Sequence, residues 1–114
     1  MSHEWLSYIE DLIEYLGYVI EFTRGVSKED FELNHEKYLA VCRAFEIAGE
    51  AAKQVPEEIR LRHPEIDWRE ITGFRDVLAH KYRILDSDIV WYAAVRDAPV
   101  AREHLLRILA RSGS

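Results

Sequence analysis

Apolar side chains recur along this chain at alternating steps of three and four, the period of helices that bury one face. Trp5, Ile9, Leu12, Leu16 and Val19, widened by Leu6, Ile13 and Ile20, predict a first helix over about residues 3–23. Gly25 is a stop signal, because glycine accepts the left-handed turn at a helix end. Ser27 can cap a short helix over residues 28–33, with Asp30 in the capping-box position, and a bend is expected near Asn34. Tyr38, Val41, Phe45, Ala48, Ala52 and Val55 predict a long helix that Pro56 ends. Its small residues Ala48, Gly49, Ala51 and Ala52 invite a neighbouring helix to come close, which would account for a glycine where helix propensity disfavours one.

Pro56 can open a short helix through Arg62, and His63-Pro64-Glu65-Ile66 reads as a connector. Asp67 is placed to cap a helix that carries Trp68, Ile71, Phe74 and Leu78 and ends near His80 or Tyr82, with Glu70 in the capping-box position. Asp86 or Asp88 caps the next, which carries Ile89, Tyr92, Ala93 and Val95. Pro99 is expected at a bend or boundary, followed by a last helix with Leu105, Ile108 and Leu109, and the tail 111–114 is expected to fray. No strand alternation persists and no internal repeat is visible, so the fold class is all-α.

The length of 114 residues is that of one domain spanning the chain, and 48% hydrophobic residues suffice for a packed core. A single cysteine, Cys42, excludes an intramolecular disulfide and a Cys-based zinc cluster, and its place in an apolar helical pattern reads as a packed thiol. The N-terminal stretch is not basic and no apolar run reaches bilayer length, so a cytoplasmic address without membrane contact is expected. The net charge of -6 argues against broad, nonspecific nucleic-acid binding. The charge is uneven, however. Arg24 and Lys28 are the only bases among the first 36 residues, whereas residues 60–83 carry Arg60, Arg62, Arg69, Arg75, Lys81 and Arg83, so an anionic ligand is expected at this second region.

The segment Gly73-Phe74-Arg75-Asp76-Val77-Leu78-Ala79-His80-Lys81-Tyr82 concentrates groups that can do chemistry. Asp76 and His80 are four residues apart and share a helical face, so the carboxylate is expected to orient the imidazole. Arg75 and Tyr82 share a face if the helix persists. Arg75 and His80 are separated by about 140° around one helix axis and are poor neighbours within it. A common site would need rotamer reach, an irregular helix end or a second copy of the segment. These residue types suit metal-free RNA cleavage: His80 for proton transfer, Arg75 for the charge gained by the phosphate, Asp76 behind His80, and Tyr82 against the nucleotide or as a modification target.

Arg75-Asp76-x3-His80-x-Tyr82 resembles the Arg-x4-His-x-Tyr signature of HepT-like proteins of the HEPN superfamily, where Asn usually follows the arginine and Asp is an accepted variant. Other blocks are similar as well. Phe45-Glu46-Ile47-Ala48-Gly49-Glu50-Ala51-Ala52 resembles the family's Ile-Gly-Glu-Ala-Ala segment, with Ala48 in place of the usual Ile. Pro64-Glu65-Ile66-Asp67-Trp68-Arg69-Glu70-Ile71 resembles its Pro-x-Ile-x-Trp block, and Asp88-Ile89-Val90-Trp91 also fits.

The resemblance implies a HEPN-type antiparallel bundle of about five to six helices that forms a homodimer with two motifs around one cleft. It implies a metal-independent endoribonuclease toxin of a type VII-like toxin–antitoxin pair, needing no cofactor and leaving a cyclic phosphate. Arg75, Asp76 and His80 would be catalytic, and Lys81 and Arg83 would bind phosphate. The implied partner, besides RNA, is an MntA-like minimal nucleotidyltransferase antitoxin that transfers AMP to Tyr82. A bulky anion there would obstruct an RNA phosphate and pair with Arg75.

Two other readings stand beside this one. A noncatalytic adaptor that binds a nucleotidyltransferase would be indifferent to loss of His80. A di-iron bundle is suggested by Glu32-x-x-His35, but that site requires a second such motif and the chain has none. Trp5, Trp68 and Trp91 lie on apolar stripes and read as core or interface anchors, and His3, His63 and His104 lack local partners for chemistry. Glu46 and Glu50 share a face and can pair with Arg43 or Lys53 or line the cleft.

Overall fold

In a computed structural model that describes residues 4–112, every regular element is helical. Helix α1 (Glu4–Thr23) buries Ile9, Leu12, Ile13, Leu16 and Val19, the stripe expected from their spacing. The expected start at His3 and the last two residues of the tail, Gly113 and Ser114, lie outside the described residues. Gly25 follows α1 at φ 71°, a conformation that a Cβ would disfavour, and reverses the chain. The Ser27 hydroxyl then accepts from the Asp30 amide and starts α2 (Lys28–Leu33). Asn34 ends α2 and caps α3 (His35–Gln54) through Oδ1, so one side chain makes the bend.

Pro56 separates α3 from α4 (Glu57–Arg62). Beyond the connector, Asp67 caps α5 (Trp68–Lys81) by accepting from the Glu70 amide. The Trp68 indole N–H donates to the His63 carbonyl at 3.0 Å, which ties the connector to the start of α5. Asp86, rather than Asp88, caps α6 (Ser87–Tyr92).

Pro99 lies next to a boundary, as expected, but the boundary is a change of helix type rather than a break. Helix α6 passes through a π turn (Ala93–Asp97) directly into α7 (Ala98–Ser112), with Pro99 in the first turn of α7. Proline lacks an amide hydrogen, and its ring crowds the carbonyl four residues earlier. The wider π turn immediately upstream accommodates both effects, so the helix changes register and continues.

Helices α1, α3 and α5 pack side by side, and α7 lies along α1. Lys37 at the start of α3 donates to the Phe22 carbonyl at the end of α1, which makes that pair antiparallel. Tyr38 and Gly49 of α3 meet Tyr82 and Arg75 in reversed order, which makes α3 and α5 antiparallel too. The core between them contains Phe31, Val41, Phe45, Ala48, Leu78, Val90 and Leu105. Trp68 is buried, while Trp5 and Trp91 pack against the core, Trp91 with its ring 5.3 Å from that of Phe31. Among the described residues, no helix is long and apolar enough to cross a membrane.

Candidate active site

Helix α5 presents its two sides unequally. Leu78 is buried, Arg75 is half-buried against α3, and Asp76 and His80 are exposed. Gly49 determines how closely Arg75 lies on α3. A Cβ at Gly49 would overlap Arg75 Cβ and come within 2.9 Å of its Cγ and 3.1 Å of the Ile71 carbonyl oxygen. The glycine is therefore explained by close helix packing, with the arginine stem in the space its missing side chain leaves.

The guanidinium is engaged along its length. Glu50 Oε2 is 2.9 Å from Arg75 Nε, near enough for an ion pair but misaligned for a hydrogen bond, so the buried Nε–H lacks a directed acceptor. Arg75 NH1 donates at 3.3 Å to Asp76 Oδ1, and the same oxygen accepts from Lys53 Nζ, reaching across from α3. Lys53, and after it Arg75, hold the Asp76 carboxyl below the ordinary aspartate range. Glu50 and Arg75 border a depression between α1 and α3 with Tyr8, Arg43 and Glu46. Glu46 pairs with Arg43 at 3.1 Å. Of the alternatives open for the two glutamates, Glu46 takes Arg43 and both line the depression, whereas Glu50 pairs with Arg75, which was not among them, and Lys53 goes to Asp76.

The expected carboxylate support for His80 is not what the helix makes. His80 Nδ1 lies 2.9 Å from the backbone carbonyl oxygen of Asp76, one turn earlier, while the Asp76 carboxylate is turned to Lys53 and Arg75. Two cations hold that carboxylate through charge-assisted contacts. The support is still specific. A carbonyl can only accept, so this contact requires the proton on Nδ1 and leaves the lone pair of the neutral ring on Nε2.

Tyr82 caps α5 in right-handed conformation, φ -59° and ψ -26°. Its carbonyl accepts from the Tyr38 hydroxyl at 2.9 Å. Its own hydroxyl accepts from Arg83 Nε at 3.3 Å, with the guanidinium 5.8 Å from the ring centre. Tyr82 and Arg83 border a second depression with Glu32, His35 and Leu39. Arg75 and Tyr82 thus open onto different depressions of one chain despite their shared helical face. Lys81 is exposed, and its carbonyl accepts from the Ile84 and Leu85 amides of the turn that follows.

Lys53 was expected only as a partner for Glu46 or Glu50, not for Asp76, and the Tyr38 hydroxyl was not expected at all. Steps of four and three put Glu46, Glu50 and Lys53 on one stripe of α3, a charged face opposite a motif helix that could have pointed to them. Glu32 is taken by Lys28 at 3.4 Å and His35 stacks on Tyr38, and no group of three metal-ligating side chains gathers among the described residues.

Residues 12–108 match the profile of the ribonuclease HepT-like family. The chain is 39% identical to a protein of Thermococcus cleftensis named for ribonuclease HepT, over 87% of this chain and 90% of that one. It is 34% identical to a protein of Methanocaldococcus jannaschii named as an RNase, over 90% and 85% of the two chains. An RNase-named protein of Caldanaerobacter subterraneus is also 34% identical, over 91% and 93%. No solved structure matches the chain significantly.

Proposed function

The chain belongs to the HepT-like ribonuclease family, and on that premise we propose that it is an endoribonuclease toxin in which His80 and Arg75 cleave RNA without a metal. The observation that carries this reading is the exposed His80 ring, held through Nδ1 by the Asp76 carbonyl with Nε2 free. Nε2 takes the proton of a ribose 2'-hydroxyl, and the oxygen attacks the adjacent phosphorus. The phosphorus–O5' bond breaks, leaving a 2',3'-cyclic phosphate, and O5' takes up a proton to become a 5'-hydroxyl. Charge rises on the phosphoryl oxygens as the new bond forms, and Arg75 offsets it. Asp76 supports His80 through its backbone carbonyl, while its carboxylate makes only a long contact with Arg75. Lys81 and Arg83 supply charge for the flanking phosphates.

Within one chain Arg75 and His80 leave α5 in different directions, so the proposal includes a homodimer with two motifs at one cleft. An apolar groove of about 690 Å³ between α5 and α6–α7 supports self-association, since it leaves Val77, Ile89 and Tyr92 38%, 51% and 41% exposed beside the outward face of α5. A second imidazole across the two-fold axis would then supply the proton for O5'.

The proposed silencing partner is a minimal nucleotidyltransferase that joins AMP to the Tyr82 hydroxyl. Arg83, already on that hydroxyl, would pair with the new phosphate. Expression of wild type and His80→Ala, each with and without a neighbouring nucleotidyltransferase, tests the reading. Growth arrest by wild type alone is expected, with added AMP in the intact mass of the co-expressed chain. Equal growth in all four cultures would refute the toxin and favour an adaptor, a role compatible with the net charge of -6.

A further inference from the structure

Lys53, Asp76, Arg75 and Glu50 form one chain of charges between α3 and α5, in which two cations meet two carboxylates. Since the formal charges cancel, an incoming phosphate gains little from net charge. What matters is which edge of the arginine is open.

Glu50 sits on Nε, which spoils the side edge of the guanidinium for a second anion. The remaining pair of donors suited to a bidentate phosphate is the outer edge, NH1 with NH2. Asp76 is the group able to close that edge, because it is the next residue in the chain and already touches NH1. That contact is long, 3.3 Å, where charge-assisted bonds of this type are usually about 2.7–2.9 Å. The same carboxylate oxygen lies much closer to Lys53 Nζ. The lysine wins the carboxylate, and the arginine is left with a weak share of it.

We infer that Lys53 is a positioning residue: by drawing the Asp76 carboxylate toward α3 it leaves Asp76 only a long contact on the outer edge of Arg75, which an RNA phosphate can displace. The inference rests on the ribonuclease reading above and adds a residue outside the motif. Without Lys53, Asp76 would swing onto Arg75 and occupy the edge that the phosphate needs. Binding would suffer more than the chemical step, since His80 is held by the Asp76 backbone carbonyl and not by its side chain.

The test uses the full chain in four forms, wild type, Lys53→Met, Lys53→Arg and the double variant Lys53→Met/Asp76→Asn, with His80→Ala as the cleavage control. Affinity is read with a fluorescent single-stranded RNA carrying 2'-O-methyl riboses, which cannot be cut, and KM and kcat are read with the ordinary RNA. Thermal melting of each form checks folding. Lys53→Met should bind about tenfold more weakly and raise KM by the same factor, with kcat within about twofold. Lys53→Arg should restore most of the affinity. The double variant should also restore it, because the competing carboxylate charge is gone.

That last result separates the positioning role from two others. A lysine that touched the phosphate directly, or one that merely stapled α3 to α5, would not be rescued by Asp76→Asn. Unchanged affinity in Lys53→Met, or no recovery in the double variant, overturns the inference while leaving the ribonuclease reading intact. RNA cleavage equal in wild type and His80→Ala overturns that reading instead, with the affinity comparison still deciding the role of Lys53. Absence of RNA binding by wild type overturns both.

Discussion

Replacing Gly49 by alanine adds one methyl group where α3 and α5 touch. On an exposed helix the change would stabilise the protein by about 1 kcal/mol through helix propensity. Here the new Cβ would lie 2.9 Å from Arg75 Cγ and nearer still to Arg75 Cβ, which is fixed to the backbone and cannot rotate away. Restoring an ordinary separation of about 3.5 Å from Cγ alone needs a shift of roughly 0.6 Å, and clearing Cβ brings it to about 1 Å. Forced overpacking of this kind costs about 1–3 kcal/mol. The expected balance is a loss of about 1 kcal/mol, or a fall in Tm of roughly 3–6 °C for a domain of this size.

The functional cost should be larger than the structural one, because the displaced atom is the stem of Arg75. A misplacement of about 1 Å at a catalytic group can cost about 100-fold in rate. Thermal melting and cleavage of a short RNA, run on the same preparation, check both numbers. A Gly49→Ala protein that melts higher than wild type and cleaves at the same rate would refute the account of why this glycine is here.

Three further outcomes are expected. Tyr38→Phe removes the hydroxyl that donates to the Tyr82 carbonyl and should cost about 1 kcal/mol in denaturant unfolding, with faster hydrogen exchange at the Ile84 and Leu85 amides of the adjoining turn. Burial pushes the Cys42 thiol up to about 11, so alkylation at pH 8, followed by mass spectrometry, should be slow in the folded chain and fast in denaturant. Asp76 has a depressed pKa through Lys53, so the stability it contributes is present above the ordinary carboxyl range and is lost as pH falls through the depressed value. The melting difference between wild type and Lys53→Met should therefore be steady above about pH 4 and close below it; a difference that persists in strong acid would mean the lysine acts through packing.

The helices and their ends were legible in the order of residues because they depend on neighbours three or four positions away. Periodic apolar residues, the caps Ser27 and Asp67 and the stop at Gly25 all act within one or two turns. The motif was readable for the same reason, as Arg75, Asp76, His80 and Tyr82 lie within eight residues. Even there, local spacing misjudged Asp76. Its helical neighbour is His80, but its carboxylate goes to a lysine 23 residues away. Pro99 marked a boundary but not its kind, because a π turn can absorb a proline that an α-helix cannot, and the helix continues.

Tertiary structure decided what the charges do. The sequence could say that Glu50, Lys53, Arg75 and Asp76 are ionised, and that Gly49 lets a helix come near. Only the antiparallel packing of α3 on α5 selects which carboxylate meets which cation, since Coulombic partners are chosen by distance in space. The local code determined an all-helical chain with an Arg–His motif near a helix end. The crossing at Gly49 determined where the arginine of that motif lies and what holds it.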